Sequence, residues 1–253
     1  MYLVTNYFEG DILYNYSDEI YSEEEIKFIS ACIIQSLFYL RKKKIINRDV
    51  RMKNLIMDND RYLNIIDFSF AINYNDKDNS KIYIIGSKIE SSPEIVNHSQ
   101  YDYNSDYYRI GIIIYYLIFK KYPNKEKRRI YIDEYNKYYS SSCIDFLNKL
   151  LINDYKKRIG FNSINELKNH SWFKAFDWEN LEKKKIISPL KFMKRKRNDF
   201  ICKKYNISNE IIINHKRYQI NKKYKKLIEN YNYVNKKIVI EILGSIRNYS
   251  KKK

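Results

Sequence analysis

The sequence has few of the residues that mark a secreted, zinc-binding or membrane-spanning protein. Its three cysteines, Cys32, Cys143 and Cys202, have no spacing typical of a disulfide framework or a zinc site. We therefore expect buried thiols and a reducing compartment. No stretch approaches the roughly 18 apolar residues of a membrane span, and no basic segment followed by an apolar one begins the chain. The expected location is the cytoplasm, with the nucleus as the alternative.

Glycine and proline are also scarce, with 5 and 3 residues, whereas tyrosine occurs 27 times. This bias reflects an AT-rich coding sequence as readily as any physical demand, so composition alone says little about function. The chain nevertheless has 253 residues, of which 44% are hydrophobic. It can bury a sizeable core in one or two domains, and it does not resemble a disordered chain.

Charge is distributed unevenly along the chain. Residues 183–253 contain 22 Lys and Arg but only 4 Asp and Glu, which accounts for the whole net charge of +18. Residues 1–182 contain 26 residues of each sign. We therefore predict a globular body, residues 1–181, followed by a basic extension, residues 182–253.

Three short segments follow one another in an informative order. Asp49 is followed five residues later by Asn54, an Asp67-Phe68 pair comes after a short hairpin-like segment, and Pro93-Glu94 follows. This order resembles the catalytic loop, the metal loop and the end of the activation segment of protein kinases. The alternative is that Asp and Asn mark polar turns. The three landmarks in order are far more specific than any one of them.

The resemblance covers about residues 1–181 and starts at the hinge between the two kinase lobes. It implies an α+β, mainly α-helical fold, consisting of the large lobe without the small lobe. No Gly-rich phosphate loop, small-lobe lysine or partner glutamate is found upstream, and five glycines could not supply that loop elsewhere. Residues 170–173 and 177–181 are similar to the lobe end of the AGC group, which includes cyclic-AMP-dependent kinase and protein kinase C. Residues 228–234 loosely match that group's carboxy-terminal hydrophobic motif.

ATP and Mg²⁺ are the cofactors that the resemblance implies, because phosphoryl transfer needs a carboxylate for the attacking hydroxyl and oxygen ligands for the metal. By resemblance, the backbone at Asn6 and Phe8 faces adenine, Asp11 reaches the ribose and Ile56 lies under adenine. For Asp11 a turn or cap role stays open, and for Ile56 a core role. The residues implied are, as catalytic, Asp49, Arg51 and Ser87; as cofactor-binding, Asn6, Phe8, Asp11, Asn54, Ile56 and Asp67; and as metal ligands, Asn54 and Asp67.

Several positions depart from the family pattern. Asn47 replaces the usual His or Tyr, Arg51 replaces Lys and Ser69 replaces Gly, although none of these changes removes the base or a metal ligand. Lys53 stands where kinases of this group that prefer basic substrates carry Glu. We therefore do not transfer substrate specificity to this chain.

Local patterns predict the elements around these segments. Residues 1–8 are apolar and β-prone and predict a strand, whereas Ser22 with Glu25 forms a capping box before a long amphipathic helix. Short strands are expected at residues 55–57 and 63–66, and a buried helix at 106–119. By resemblance, Asp106 braces the catalytic loop, Arg158 pairs with Glu94, and His170 is a core or cap residue.

The sequence leads to three hypotheses about function. The first is a serine/threonine kinase lobe that acts on a protein substrate, with a small lobe or activating partner supplied from elsewhere. The second is a pseudokinase or half-kinase scaffold whose apolar seam near Thr5 and Phe8 needs a partner. The third concerns the basic extension, which could hold nucleic acid or an anionic membrane, or could be a solvated segment or localisation signal.

Overall fold

The helix α1, Glu23–Lys42, packs against several other helices and strands in the part of the chain that the computed structural model describes, which is residues 10–75, 88–97, 102–124 and 138–191. Its first turn contains the predicted capping box: Ser22 Oγ accepts a hydrogen bond from the Glu25 amide at 3.3 Å. Glu25 Oε2 accepts one from the Ser22 amide at 2.8 Å. Apolar residues at helical spacing are buried along one face, namely Ile26, Ile29, Ile33, Leu37 and Leu40.

The capping box should contribute measurably to stability. Replacing Ser22 with Ala removes an acceptor for an otherwise unpaired helix amide, so we expect a loss of about 1 kcal/mol in the free energy of unfolding. Ser36→Ala is the matched control, because Ser36 lies inside the same helix and its hydroxyl only donates to the Cys32 carbonyl. Urea denaturation of both variants tests this prediction, and an equal effect of the two changes would contradict it.

Within the described residues the structure has two antiparallel strand pairs, and residues 47–54 connect the first strand of one pair to the first strand of the other. Strand β1, Ile45–Ile46, pairs with β4, Ile72–Asn73, and strand β2, Leu55–Met57, pairs with β3, Leu63–Ile65. The predicted strands at 55–57 and 63–66 are therefore confirmed, with β3 ending one residue earlier than expected.

The remaining elements are helical. The α-helices are α2, Pro93–Val96; α3, Tyr103–Phe119; α4, Ser141–Leu150; α5, Asn165–Lys168; and α6, Trp178–Glu182. Short 3₁₀ turns occur at Leu13–Tyr16, Met52–Asn54 and Ser171–Phe173. This mixture of helices and small sheets agrees with the predicted α+β, mainly helical fold. No helix within the described ranges is long and apolar enough to cross a membrane.

Helix α3 begins three residues before the predicted start at Asp106, because the Asp102 side chain caps it by accepting from the Tyr103 amide. The helix is buried over most of its length, as its apolar sequence predicted. A Cβ on Gly111 would lie 2.8 Å from a Leu151 methyl carbon. A glycine there allows α3 to approach the end of α4 closely.

Buried polar groups hold the helical region together. Arg158 donates to both carboxylate oxygens of Glu94, at 2.7 and 2.9 Å, and also to the carbonyl of Asn104 at 2.9 Å. The predicted ion pair is therefore confirmed. The His170 ring accepts from the Trp172 amide at 3.2 Å and is buried, which confirms a core and cap role. Cys143 is buried, as expected for an isolated thiol.

Residues 183–191 lie against the body instead of leaving it at α6. The Tyr62 hydroxyl donates to the Ile186 carbonyl and Arg61 Nη1 donates to the Leu190 carbonyl, each at 2.7 Å. The Leu190 side chain is fully buried. The start of the basic extension at residue 182 stays a prediction, and residues 192–253 lie outside the described ranges.

Candidate active site

The predicted catalytic loop connects β1 to β2, and a side chain of α3 holds its backbone. The Asp106 carboxylate accepts hydrogen bonds from the amides of Asn47 and Arg48, at 2.9 and 3.0 Å. Burial raises the pKa of Asp106 to about 6, although the charge of Arg109 and the two amide donors oppose this effect. The predicted bracing role of Asp106 is thus confirmed by its contacts.

Asp49 is buried in this loop, with 1% of its surface exposed. Its Oδ2 accepts from Asn54 Nδ2 at 2.7 Å and lies 3.3 Å from Arg51 Nε. Asn54 also donates to the Asp49 carbonyl, so its amide nitrogen is fully used inside the loop. The side-chain oxygen of Asn54 is the atom that could bind a metal ion, and a carbonyl oxygen is a suitable ligand for Mg²⁺ or another hard cation.

Asp67 follows β3 and is brought to the same place by strand pairing. The Ile66 amide donates to the Asn54 carbonyl at 2.8 Å, and Asn47 Nδ2 lies 3.5 Å from the Asp67 carbonyl. The Asp67 side chain is exposed, and the Ser69 hydroxyl and amide donate to its Oδ1 at 2.6 and 2.9 Å. These hydrogen bonds lower the pKa of Asp67, so the carboxylate is ionised at neutral pH.

The predicted nucleotide contacts Asp11 and Ile56 are also neighbours. Ile12 forms an antiparallel bridge with Ile56, and the Met57 amide donates to the Asp11 carbonyl at 2.9 Å. A Cβ on Gly10 would lie 1.4 Å from the Met57 carbonyl oxygen, so only glycine fits at this crossing. Asn54 lies just before β2 and Ile56 in the middle of it, two residues further on.

The Asp11 side chain serves a local turn and leaves one atom unused. Its Oδ1 accepts from the Ile12 amide at 2.8 Å and from Asn15 Nδ2 at 2.5 Å, which is the turn or cap role kept open above. Its Oδ2 is buried and has no hydrogen-bond partner among the residues described. A buried acceptor without a donor is costly, so a hydroxyl donor from a bound molecule would fit here.

Three predicted site residues, Asn6, Phe8 and Ser87, lie outside the described ranges, as do the strand expected at residues 1–8 and the motif at 228–234. The structure brings together the other six: Asp11, Asp49, Arg51, Asn54, Ile56 and Asp67.

Sequence reasoning assigned no site role to two residues that the structure places in the site. Asn47 Oδ1 accepts from the Asp49 amide at 3.0 Å, so the Asn47 side chain lies between the catalytic and metal loops. Arg109 is 2% exposed, and its Nη1 lies 3.5 Å from Asp49 Oδ1. The available signal for Arg109 was its spacing, one helical turn after Asp106 in an otherwise apolar helix.

Comparison with known proteins agrees with this geometry. Residues 1–173 match the family described as the protein kinase domain. A probable serine/threonine-protein kinase of Dictyostelium discoideum is 30% identical over 200 residues, which are 75% of this chain and 44% of that protein. Human rhodopsin kinase is 30% identical over 199 residues, which are 71% of this chain and 35% of that protein.

A relative from the group expected from residues 170–181 is also found. The cAMP-dependent protein kinase catalytic subunit 3 of Drosophila melanogaster is 27% identical over 202 residues, covering 75% of this chain and 34% of that protein. The chain spans less than half the length of these three curated relatives. The family match covers more than half of the chain and includes the loops described above, and its relatives are serine/threonine kinases, so this chain belongs to the protein kinase family.

Proposed function

We propose that this chain carries the catalytic lobe of a serine/threonine protein kinase that transfers phosphate from ATP to hydroxyl groups of a protein substrate. The observation that supports this most strongly is the assembly of Asp49, Asn54 and Asp67. Hydrogen bonds link the Asn54 side chain to Asp49, and a backbone hydrogen bond links the Asn54 carbonyl to Ile66, the residue before Asp67. One carboxylate for the acceptor hydroxyl and two oxygen groups for a cation therefore lie side by side.

The donor set fits magnesium and nucleotide. Mg²⁺ in proteins is usually bound through one or two carboxylates together with substrate phosphates, and Asp67 with Asn54 offers this kind of site. The unused Asp11 Oδ2 is suited to a ribose hydroxyl, and Ile56 to the face of adenine. When bound, ATP would supply the phosphoryl group and Mg²⁺ would neutralise the charge that develops on it.

The residues of the chain then have distinct tasks. Asp49 orients the acceptor hydroxyl and takes its proton, since it is the buried carboxylate next to the metal-binding side chains. Arg51, which is partly exposed beside Asp49, keeps a positive charge available to the transferring phosphate. We also propose that Ser87 bonds Asp49 and that Asn6 and Phe8 contact adenine. The phosphate-clamping loop and lysine of a small lobe would come from another segment or chain.

One observation supports a second function, a scaffold without phosphoryl transfer. Asp49 already has cationic or donor neighbours at both oxygens, Arg109 at Oδ1 and Asn54 with Arg51 at Oδ2. Both oxygens of Asp49 are therefore already engaged within the protein, which leaves them less capacity to accept a hydrogen bond from an acceptor hydroxyl. The same fold would then bind a partner and regulate it.

Asp67→Ala separates the two functions. We expect phosphoryl transfer to a mixed protein substrate to fall by about 10²-fold or more, because a metal ligand contributes several kcal/mol of charge stabilisation. Asp60→Ala is the matched control, since Asp60 is an exposed carboxylate in the turn between β2 and β3. Transfer is measured with labelled ATP, and nucleotide affinity by calorimetry with and without Mg²⁺.

Equal transfer by Asp67→Ala and the unmodified chain would contradict the metal-ligand assignment. If the unmodified chain neither transfers phosphate nor binds ATP more tightly with Mg²⁺, the kinase proposal fails for this chain and the scaffold function is favoured.

A further inference from the structure

Arg109 is a charged side chain in the interior of α3. It is 2% exposed, and its helix neighbours Tyr108 and Ile110 are fully buried. Burying a guanidinium is costly unless it lies next to negative charge and its donors are used. A buried arginine at this position therefore needs a structural reason.

Two buried carboxylates provide it. Asp49 Oδ1 lies 3.5 Å from Arg109 Nη1, and both side chains are almost completely buried. Asp106 precedes Arg109 by one helical turn, and the positive charge of Arg109 opposes the rise in the Asp106 pKa that burial causes. Without Arg109, both buried carboxylates would lose a nearby positive charge.

We propose that Arg109 is a positioning residue that fixes the Asp49 carboxylate and ties the catalytic loop to α3. Asp106 holds the loop backbone through the amides of Asn47 and Arg48. Arg109 holds the side chain of Asp49 from the same helical turn. One turn of a buried helix thus sets both the path of the loop and the direction of its carboxylate.

The two oxygens of the Asp49 carboxylate make contacts of different length. Oδ2 accepts a short hydrogen bond from Asn54 at 2.7 Å, whereas the Oδ1 contact with Arg109 is 3.5 Å, at the limit of a hydrogen bond. The Arg109 charge therefore keeps the carboxylate from rotating while leaving Oδ1 able to accept a stronger hydrogen bond. Orientation of this kind contributes to rate because reacting groups are held in place before the reaction.

The role of Asp49 here rests on the proposed function, so the first readout needs no activity. Hydrogen exchange of residues 45–54 is measured in the whole chain, unmodified and with Arg109→Met, which keeps the aliphatic stem but removes the charge. We expect exchange in this loop to accelerate about tenfold more than in α4. Leu147→Ala is the matched control, because it removes a fully buried side chain from α4 and destabilises the fold without touching the charge cluster.

Arg109→Lys is measured in the same way, so the test holds even if the methionine variant does not fold. Lysine keeps the charge but not the planar fork, and we expect a smaller acceleration that is still confined to residues 45–54. If neither variant accelerates exchange in the loop beyond the effect of Leu147→Ala, the positioning role is wrong.

The second readout is kinetic. Where the unmodified chain transfers phosphate, Arg109→Met should lower kcat about tenfold or more with little change in the KM for ATP, and Arg109→Lys should restore part of it. An unchanged kcat in folded Arg109→Met would overturn the inference. Absence of transfer by the unmodified chain would count against the proposed function instead, and the exchange experiment would then decide the inference by itself.

Discussion

Replacing Glu94 with Ala is expected to lower the free energy of unfolding by about 3–5 kcal/mol, because it leaves the Arg158 guanidinium buried without its carboxylate. Arg158 is fully buried at its side chain and makes two short hydrogen bonds to Glu94. Its other donors reach the Asn104 and Ile152 carbonyls, which cannot neutralise the charge. Thermal and urea unfolding, monitored by circular dichroism, measure the loss.

Glu179→Ala is the control for this change. Glu179 also pairs with a basic residue, Lys183, but its side chain is 76% exposed, so we expect a change within about 0.5 kcal/mol. If the free energy of unfolding fell by similar amounts in the two variants, the buried Glu94–Arg158 pair would not contribute more than an exposed pair.

The same pair predicts a pH dependence. Burial by itself would raise the pKa of Glu94, but hydrogen bonds and charge from Arg158 outweigh it and lower the pKa below the ordinary value of 4.5. A carboxyl whose pKa is lower in the folded state stabilises the protein above pH 4.5, and this contribution is lost as the pH falls through the folded-state pKa. The stability difference between the unmodified chain and Glu94→Gln should therefore shrink below pH 4.5.

Asp49→Asn is expected to lower kcat for phosphoryl transfer by about 10²–10⁴-fold, because an amide cannot accept the proton of the acceptor hydroxyl. Asparagine has the same size and its oxygen can still accept from Asn54 Nδ2, but the buried Arg109 loses one of its two neighbouring carboxylates, so the free energy of unfolding is measured together with kcat. The KM for ATP should stay close to that of the unmodified chain, because the proposed nucleotide contacts are made by other residues.

Steady-state kinetics with labelled ATP test this prediction, with Asp60→Asn as the control for loss of an exposed carboxylate. If Asp49→Asn retains full kcat, Asp49 is not the base. If both variants lose activity together with helical content, the loss comes from unfolding.

The sequence predicted those parts of the fold that depend on short patterns. The capping box at Ser22 and the pairing of β2 with β3 are local signals, since the residues that interact are at most a few positions apart. Spacing within the family pattern also predicted the partnership of Glu94 with Arg158 and the bracing role of Asp106. The start of α3 was misplaced because the Asp102 cap lies before the apolar run that indicated the helix.

The parts of the site that were missed depend on the folded path of the chain. Arg109 meets Asp49 across 60 positions of sequence, and Asn47 meets Asp67 across 20. No pattern in either segment indicates which distant residue it will face. The buried Oδ2 of Asp11 likewise depends on how this segment packs against β2, since nothing in the sequence around residue 11 shows that one oxygen has hydrogen-bond partners and the other has none.

The packing of residues 183–191 matters to anyone who wants the body of this protein without its basic extension. A truncation after α6 would remove the carbonyls that receive the Tyr62 hydroxyl and the Arg61 guanidinium, and it would uncover the site now filled by Leu190. Truncation after Lys191 would keep these contacts and still remove most of the excess positive charge. Packing against the body therefore continues past the charge boundary at least as far as Leu190, and a truncation should keep this segment.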